Sequence, residues 1–220
     1  MTTLRLPIIG TVALLSIAAG GCSSSSSSAA TGADSGGGET PLDSGAGNAQ
    51  TPPEGAVAIE AWLATGQYKN WACEPAVHAS RSPSPHGFNR ICSNHLIASN
   101  ATSTAPWPEG AAAVKELWSS DPDAGTVDGA APPTAPVGYA VYLKTESDSA
   151  GGANWYWYER VPLDSPVPHD STGVVADGVG SSGTAQTICV ACHSAAGSDS
   201  AHTPSPNGHD QVYTPVPTGG

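Results

Sequence analysis

"VGYAVYLKTE" (137–146) and "NWYWYERVP" (154–162) decide the fold class. Both are dense in aromatic and β-branched residues, the types that fit a pleated, half-buried surface. Between them lies "SDSAGGA" (147–153), small and polar with Gly151 and Gly152 adjacent, which favours a turn. The two segments therefore read as a hairpin. Upstream, "FNRICSN" (88–94) alternates as a strand does, and "WPEGAAAVKELWSS" (107–120) reads as a turn at Gly110 followed by a strand. On that strand Ala113, Lys115 and Leu117 share one face, and Val114, Glu116 and Trp118 the other. Helical spacing is confined to short pieces. "EGAVAIEAWLAT" (54–65) is amphipathic and ends near Gly66, and "NHLIASNA" (94–101) is a short helix with Asn94 as its cap. Residues 121–136 read as a loop and 163–186 as mostly irregular. The expected class is mainly β (α+β): an antiparallel sheet with a few short helices.

Beyond the sheet, "TICVACHSAAG" (187–197) places Cys189, Cys192 and His193 as Cys-x-x-Cys-His. That spacing suits c-type haem attachment near the C-terminus. Two thiols reach the vinyl groups of one porphyrin, and the next residue brings its imidazole to the iron. A thioredoxin-like redox pair would want a βαβ context, which the strand pattern lacks. A zinc site would want a second close cysteine pair, and Cys73 and Cys92 are far apart in the sequence.

Residues 1–21 read as an export signal, with Arg5 ahead of an apolar run from Leu6 to Ala19 that is too short to span a membrane comfortably. Ala19-Gly20-Gly21-Cys22 is similar to a bacterial lipoprotein motif, which would make Cys22 a lipidated N-terminus. The alternative is an ordinary cleaved signal with Cys22 left spare. Either way the expected location is the cell envelope, facing the periplasm or the cell surface, with the membrane touched only through a lipid. Loss of Arg5 with the signal takes the formal charge from -12 to -13. An acidic chain with no basic patch argues against nucleic acid as a partner.

Residues 22–55, Ser-rich and then Gly/Ala/Asp/Pro-rich, cannot bury enough apolar area to offset their ordering entropy and read as a tether. Residues 56–220 remain for one haem domain. Of the five cysteines, Cys22 goes to lipid and Cys189 with Cys192 to haem. In an oxidising compartment Cys73 and Cys92 pair most simply as a disulfide, worth about 3 kcal/mol. Two buried thiols are the alternative.

The second axial ligand is an open question at this level. The sole methionine is Met1, so a His/Met iron is excluded in the mature chain. His78, His86, His95, His169, His202 and His209 are candidates for a bis-His site, although a loop histidine is ordinarily solvated. An iron with one face open is the other possibility. The first passes electrons; the second binds small molecules.

Five segments in order resemble the cytochrome P-460 family over roughly residues 57–217. "SPHGFNRICSN" (84–94) is similar to its early strand, and "WPEGAAAVKELW" (107–118) to its turn-glycine and Val-Lys-Glu-Leu segment. "GYAVYLK" (138–144) with "GANWYWY" (152–158) resembles its central hairpin. "CVACH" (189–193) stands at its haem site, and "DQVYTP" (210–215) is similar to its closing segment. The resemblance implies an antiparallel β fold, a homodimer, and one five-coordinate haem with His193 proximal. In catalytic members a lysine is joined to the porphyrin edge, and Lys115 occupies the matching position. Lys69 and Lys144, the other lysines, do not. The bland reading of Lys115 is a solvated strand lysine.

Catalytic members oxidise hydroxylamine and pass electrons to another cytochrome, so the implied activity is a haem-dependent oxidoreductase acting on hydroxylamine or nitric oxide. Relatives that only bind diatomic gases, or carry electrons, are the alternative. A distal carboxylate would accept protons during oxidation. Glu116 faces away from Lys115, and Glu146 and Glu159 have no distinguishing mark in the sequence.

Overall fold

A computed structural model describes residues 51–81, 84–123, 131–196, 208–213 and 215–218. The expected signal, Cys22, nearly all of the tether, and His202 lie outside these residues. The described residues belong to one compact unit. In chain order its elements are α1 (Ala56–Thr65), β1 (Ala72–Cys73), β2 (His78–Ala79), β3 (Phe88–Ser93), α2 (His95–Ala98), β4 (Ala112–Trp118), β5 (Gly138–Lys144), β6 (Trp155–Arg160) and β7 (Val174–Val179). A π-helical turn (Ala185–Val190), α3 (Ala191–His193) and a 3-10 turn (Ser194–Ala196) follow, then a small hairpin of β8 (Gly208–His209) and β9 (Val212–Tyr213).

The sheet runs β1-β3-β4-β5-β6-β7, with β2 also paired to β3, and every pairing is antiparallel. The fold is mainly antiparallel β with a few short helices. Both faces are covered, which explains why β6 is a nearly continuous aromatic run. Its alternate residues serve different cores. Tyr156 and Tyr158 join Ile59, Leu63, Val114 and Val141 on the α1 side, while Trp155 and Trp157 join Ala113, Ala176, Ala185 and Cys189 on the other.

Helix α1 docks through Ile59 and Leu63, both buried one turn apart, each worth about 1.5–3 kcal/mol. Val57, in the first turn of the helix, is 89% exposed. The helix stops at Gly66, whose φ of 69° continues the chain in a left-handed cap. Its first amides are satisfied by the sheet. Ala56 N donates to Asp177 Oδ2 (2.9 Å) and Gly55 N to Tyr156 Oη (2.8 Å). Asn94 caps α2 by accepting from Ile97 N. Cys73 and Cys92, facing partners in the β1–β3 register, are disulfide-bonded.

One expectation is overturned. Residues 163–186, read as mostly irregular, contain β7. Its sequence, VVADGV, has only a short apolar run and follows a proline-rich loop, so no strand period is visible in it. Pairing with β6 creates it: Glu159 lies opposite Ala176, and Tyr158 opposite Asp177. Among the described residues no helix is long and apolar enough to cross a membrane.

Candidate functional site

The antiparallel register sets one row across the middle of the sheet. Ile91, Lys115, Ala140, Glu159 and Ala176 are successive partners from β3 to β7, so their side chains leave the sheet on the same face. Lys115, Ala140 and Glu159 line a cavity of about 520 Å³, within the range of roughly 300–1,000 Å³ usual for cofactor and ligand sites. The same cavity is lined by Cys189, Cys192 and His193. Glu116, one residue on from Lys115, projects into the other core. It is fully buried there and accepts from Tyr68 Oη (2.8 Å) and the Arg90 guanidinium (3.0 and 3.1 Å).

Cys189, Cys192 and His193 sit three and four positions apart on the helical segment, hence on one side of it. Both cysteines are free, Cys189 buried and Cys192 partly so. Burial, reinforced by the Glu159 charge, pushes the Cys189 thiol up to about 12. The His193 ring is packed by Trp157 (4.6 Å between centroids), Tyr213 (5.6 Å) and Tyr142 (5.8 Å). Burial, followed by the Lys115 charge, lowers its pKa to about 3, so the imidazole is neutral at ordinary pH. Its Nδ1 lies 2.7 Å from the Gln211 carbonyl. A neutral ring there must donate from Nδ1, which leaves the lone pair on Nε2.

Glu159 is 6% exposed and faces His86, whose Nδ1 lies 3.2 Å from Glu159 Oε1. Burial holds Lys115 below the usual lysine range, against the attraction of Glu159. Its Nζ is 3.4 Å from Ser84 Oγ. Trp157 also lines the cavity, and its buried indole N–H has no hydrogen-bond partner among the described residues.

The other described histidines stand elsewhere. His78 pairs with Glu74, His169 Nδ1 meets the Val167 carbonyl, and His209 stacks on Trp107. His95 begins α2. Of the described candidates for a second axial ligand, His86 alone lines the cavity with His193. Glu146 is exposed. Among the described residues no group of three or more His, Cys, Asp and Glu side chains is placed to hold a bare metal ion, and the sheet offers no βαβ unit for a thioredoxin-like pair.

A family model described as Cytochrome P460 matches residues 65–214. The chain belongs to the cytochrome P460 family. Comparison with curated proteins finds no match. Haem is thus the cofactor of a cytochrome P460, and the residues present fit it. A large apolar cavity holds two free thiols and a neutral imidazole whose Nδ1 is already engaged by a carbonyl, the arrangement that frees Nε2 for a metal. Glu159 and His86 gave no sequence signal of their own. Strand alternation would have put Glu159 on the face of Trp155 and Trp157, but only the register shows that this face is also that of Lys115.

Proposed function

We propose that this cytochrome P460 is an exported, lipid-anchored oxidoreductase that acts on hydroxylamine or nitric oxide at one covalently attached haem. Cys189 and Cys192 would carry the thioether links, His193 would be the proximal ligand, and Lys115 would be joined to the porphyrin edge. The observation that carries this reading is the convergence of all four side chains on a single cavity. Bound there, haem supplies an iron that takes a small nitrogen ligand and withdraws its electrons.

The chain supplies the rest. The cavity walls are mostly apolar, and the His193 tautomer is fixed by Gln211. Glu159 is the buried carboxylate that accepts protons as the nitrogen is oxidised, and His86 connects it towards solvent. Electrons leave to an acceptor cytochrome. Cys22 would hold the protein to the envelope by lipid, with residues 22–55 as the tether, and the working form is a homodimer facing the periplasm or the cell surface.

A second reading follows from His86 lining the cavity. With Nδ1 turned to Glu159, its Nε2 is available to a metal, which would give a bis-His electron carrier instead of an enzyme. Optical and electron paramagnetic resonance spectra separate the two. A red-shifted Soret band in the reduced protein with a high-spin ferric signal supports the enzyme; a sharp α band with a low-spin bis-His signal overturns it. Hydroxylamine turnover with an artificial acceptor then separates an oxidoreductase from a protein that only binds diatomic gases.

A further inference from the structure

The β8–β9 hairpin adopts a shape that Gln211, the second of its two turn residues, disfavours. Asp210 and Gln211 join the two strands, and both have left-handed φ, 48° and 69°. Two-residue turns of this hand favour Asn-Gly, Asp-Gly or Gly-Gly, so Asp210 suits its position, while Gln211, whose Cβ is strained at left-handed φ, stands where glycine is usual. The strain is held by a buried ion pair. Asp210 Oδ2 accepts from Lys144 Nζ and from Trp107 N, both at 2.7 Å, and Oδ1 accepts from Ser149 Oγ. Ser149 Oγ in turn accepts from Trp155 Nε1 (3.1 Å). Lys144 is completely buried and Asp210 is 3% exposed. Such a pair is poor evidence for stability, since apolar residues of similar volume often do as well. Its position suggests another purpose. The next residue, Gln211, presents its carbonyl to His193 Nδ1 at 2.7 Å.

We propose that the Lys144–Asp210 pair is a positioning device for the axial imidazole: it locks the left-handed Asp210–Gln211 turn and so aims the Gln211 carbonyl at His193 Nδ1. This rests on the haem reading above. A carbonyl at Nδ1 fixes the tautomer and makes Nε2 a more basic ligand. A more basic ligand favours the oxidised iron, so the pair lowers the haem's reduction potential. Lys144 and Asp210 touch neither substrate nor cofactor in this scheme; they act through the turn.

The test compares two double variants of the haem-loaded full chain with the wild type. Lys144→Met with Asp210→Ala removes the pair and leaves a residue that resists left-handed φ. Lys144→Met with Asp210→Gly removes the same pair but lets the turn form. The readouts are haem content, reduction potential and the iron–histidine stretching frequency of the reduced protein. The alanine variant should show a higher potential and a lower stretching frequency, and the glycine variant should return both towards wild type. Loss of haem from the alanine variant with retention in the glycine variant also supports positioning. Unchanged potential and frequency in the alanine variant overturn the proposal, as does an equal shift in both variants or loss of haem from both. Wild-type protein without haem overturns the haem reading and takes this proposal with it, a result distinct from all the others.

Discussion

Lys115 and Glu159 stand in one row of the sheet, on strands two apart, with Ala140 between them. At about 4.8 Å per strand their backbones are roughly 10 Å apart, and the small Ala140 side chain leaves the space between them open. The row thus presents an amine with a lowered pKa and a buried carboxylate to the same cavity. Replacing Glu159 by Gln keeps the shape and removes the proposed proton acceptor. Hydroxylamine turnover should fall by about 10²-fold or more, while haem content stays that of the wild type. Steady-state turnover per haem is the measurement, and an unchanged rate would assign the protons to another group.

Lys115 is the other end of the row. Burial leaves more of its amine unprotonated than on an ordinary surface lysine, which suits it to form a covalent bond. In the Lys115→Leu protein, haem should remain on the tryptic peptide that carries Cys189 and Cys192. If Lys115 carries the proposed cross-link, the reduced wild type should show a red-shifted Soret band and the variant that of an ordinary c-type haem. A spectrum identical to wild type would mean that Lys115 is not joined to the porphyrin.

Much of this arrangement is legible in the sequence, and the exceptions share a cause. The aromatic segments at 137–146 and 154–162 announce β5 and β6 because each strand is buried on alternating faces. Gly66 and Asn94 end and begin helices through local backbone chemistry. Cys-x-x-Cys-His stands out as a local spacing, and the fold brings its three side chains to one cavity. β7 was missed because its pairing with β6, and not its own period, makes it a strand. His86 and Glu159 appear in the sequence only as two candidates among several, because what sets them apart is their meeting in the fold: they are 3.2 Å apart but lie in separate segments. The Lys144–Asp210 pair is hidden for the same reason, its partners being 66 residues apart.

Glu74 ties the early strands together and gives the fold a pH dependence. Its carboxylate, 8% exposed, accepts from Arg81 Nη1 (2.5 Å), Ile91 N (2.8 Å) and His78 Nε2 (2.9 Å). Burial alone would raise its pKa, but these hydrogen bonds together hold it below the ordinary 4.5. The unfolded chain therefore binds this proton more readily. The stabilisation is complete above about pH 4.5 and is lost as pH falls through the lower folded value. Glu74→Gln should cost about 2 kcal/mol at pH 7, read from urea denaturation, with the gap to wild type shrinking in strong acid. A gap of the same size at pH 7 and pH 2 would show that charge is not what Glu74 contributes.

Val190 follows Cys189 directly, and its side chain seats the motif helix against two glycines. A Cβ on Gly180 would stand 2.6 Å from Val190 Cγ2 and 2.1 Å from the Gly152 carbonyl oxygen, while one on Gly152 would stand 2.8 Å from Val190 Cγ1. Gly180 is fixed from behind as well, because its N–H donates to the Trp155 carbonyl at 2.8 Å. Gly180→Ala leaves no room for Val190 to give way, since the nearest contact is backbone. The substitution should cost about 1–3 kcal/mol and tilt Cys189 and Cys192 away from the cavity. Ser181→Ala, at the exposed neighbouring position, is the control. Expressed together with a haem-attachment system, the Gly180→Ala protein should carry a smaller fraction of haem per chain than wild type, and the Ser181→Ala protein the same fraction. Equal haem content in all three, with an unchanged denaturation midpoint, would show that this close approach does not set the position of the motif.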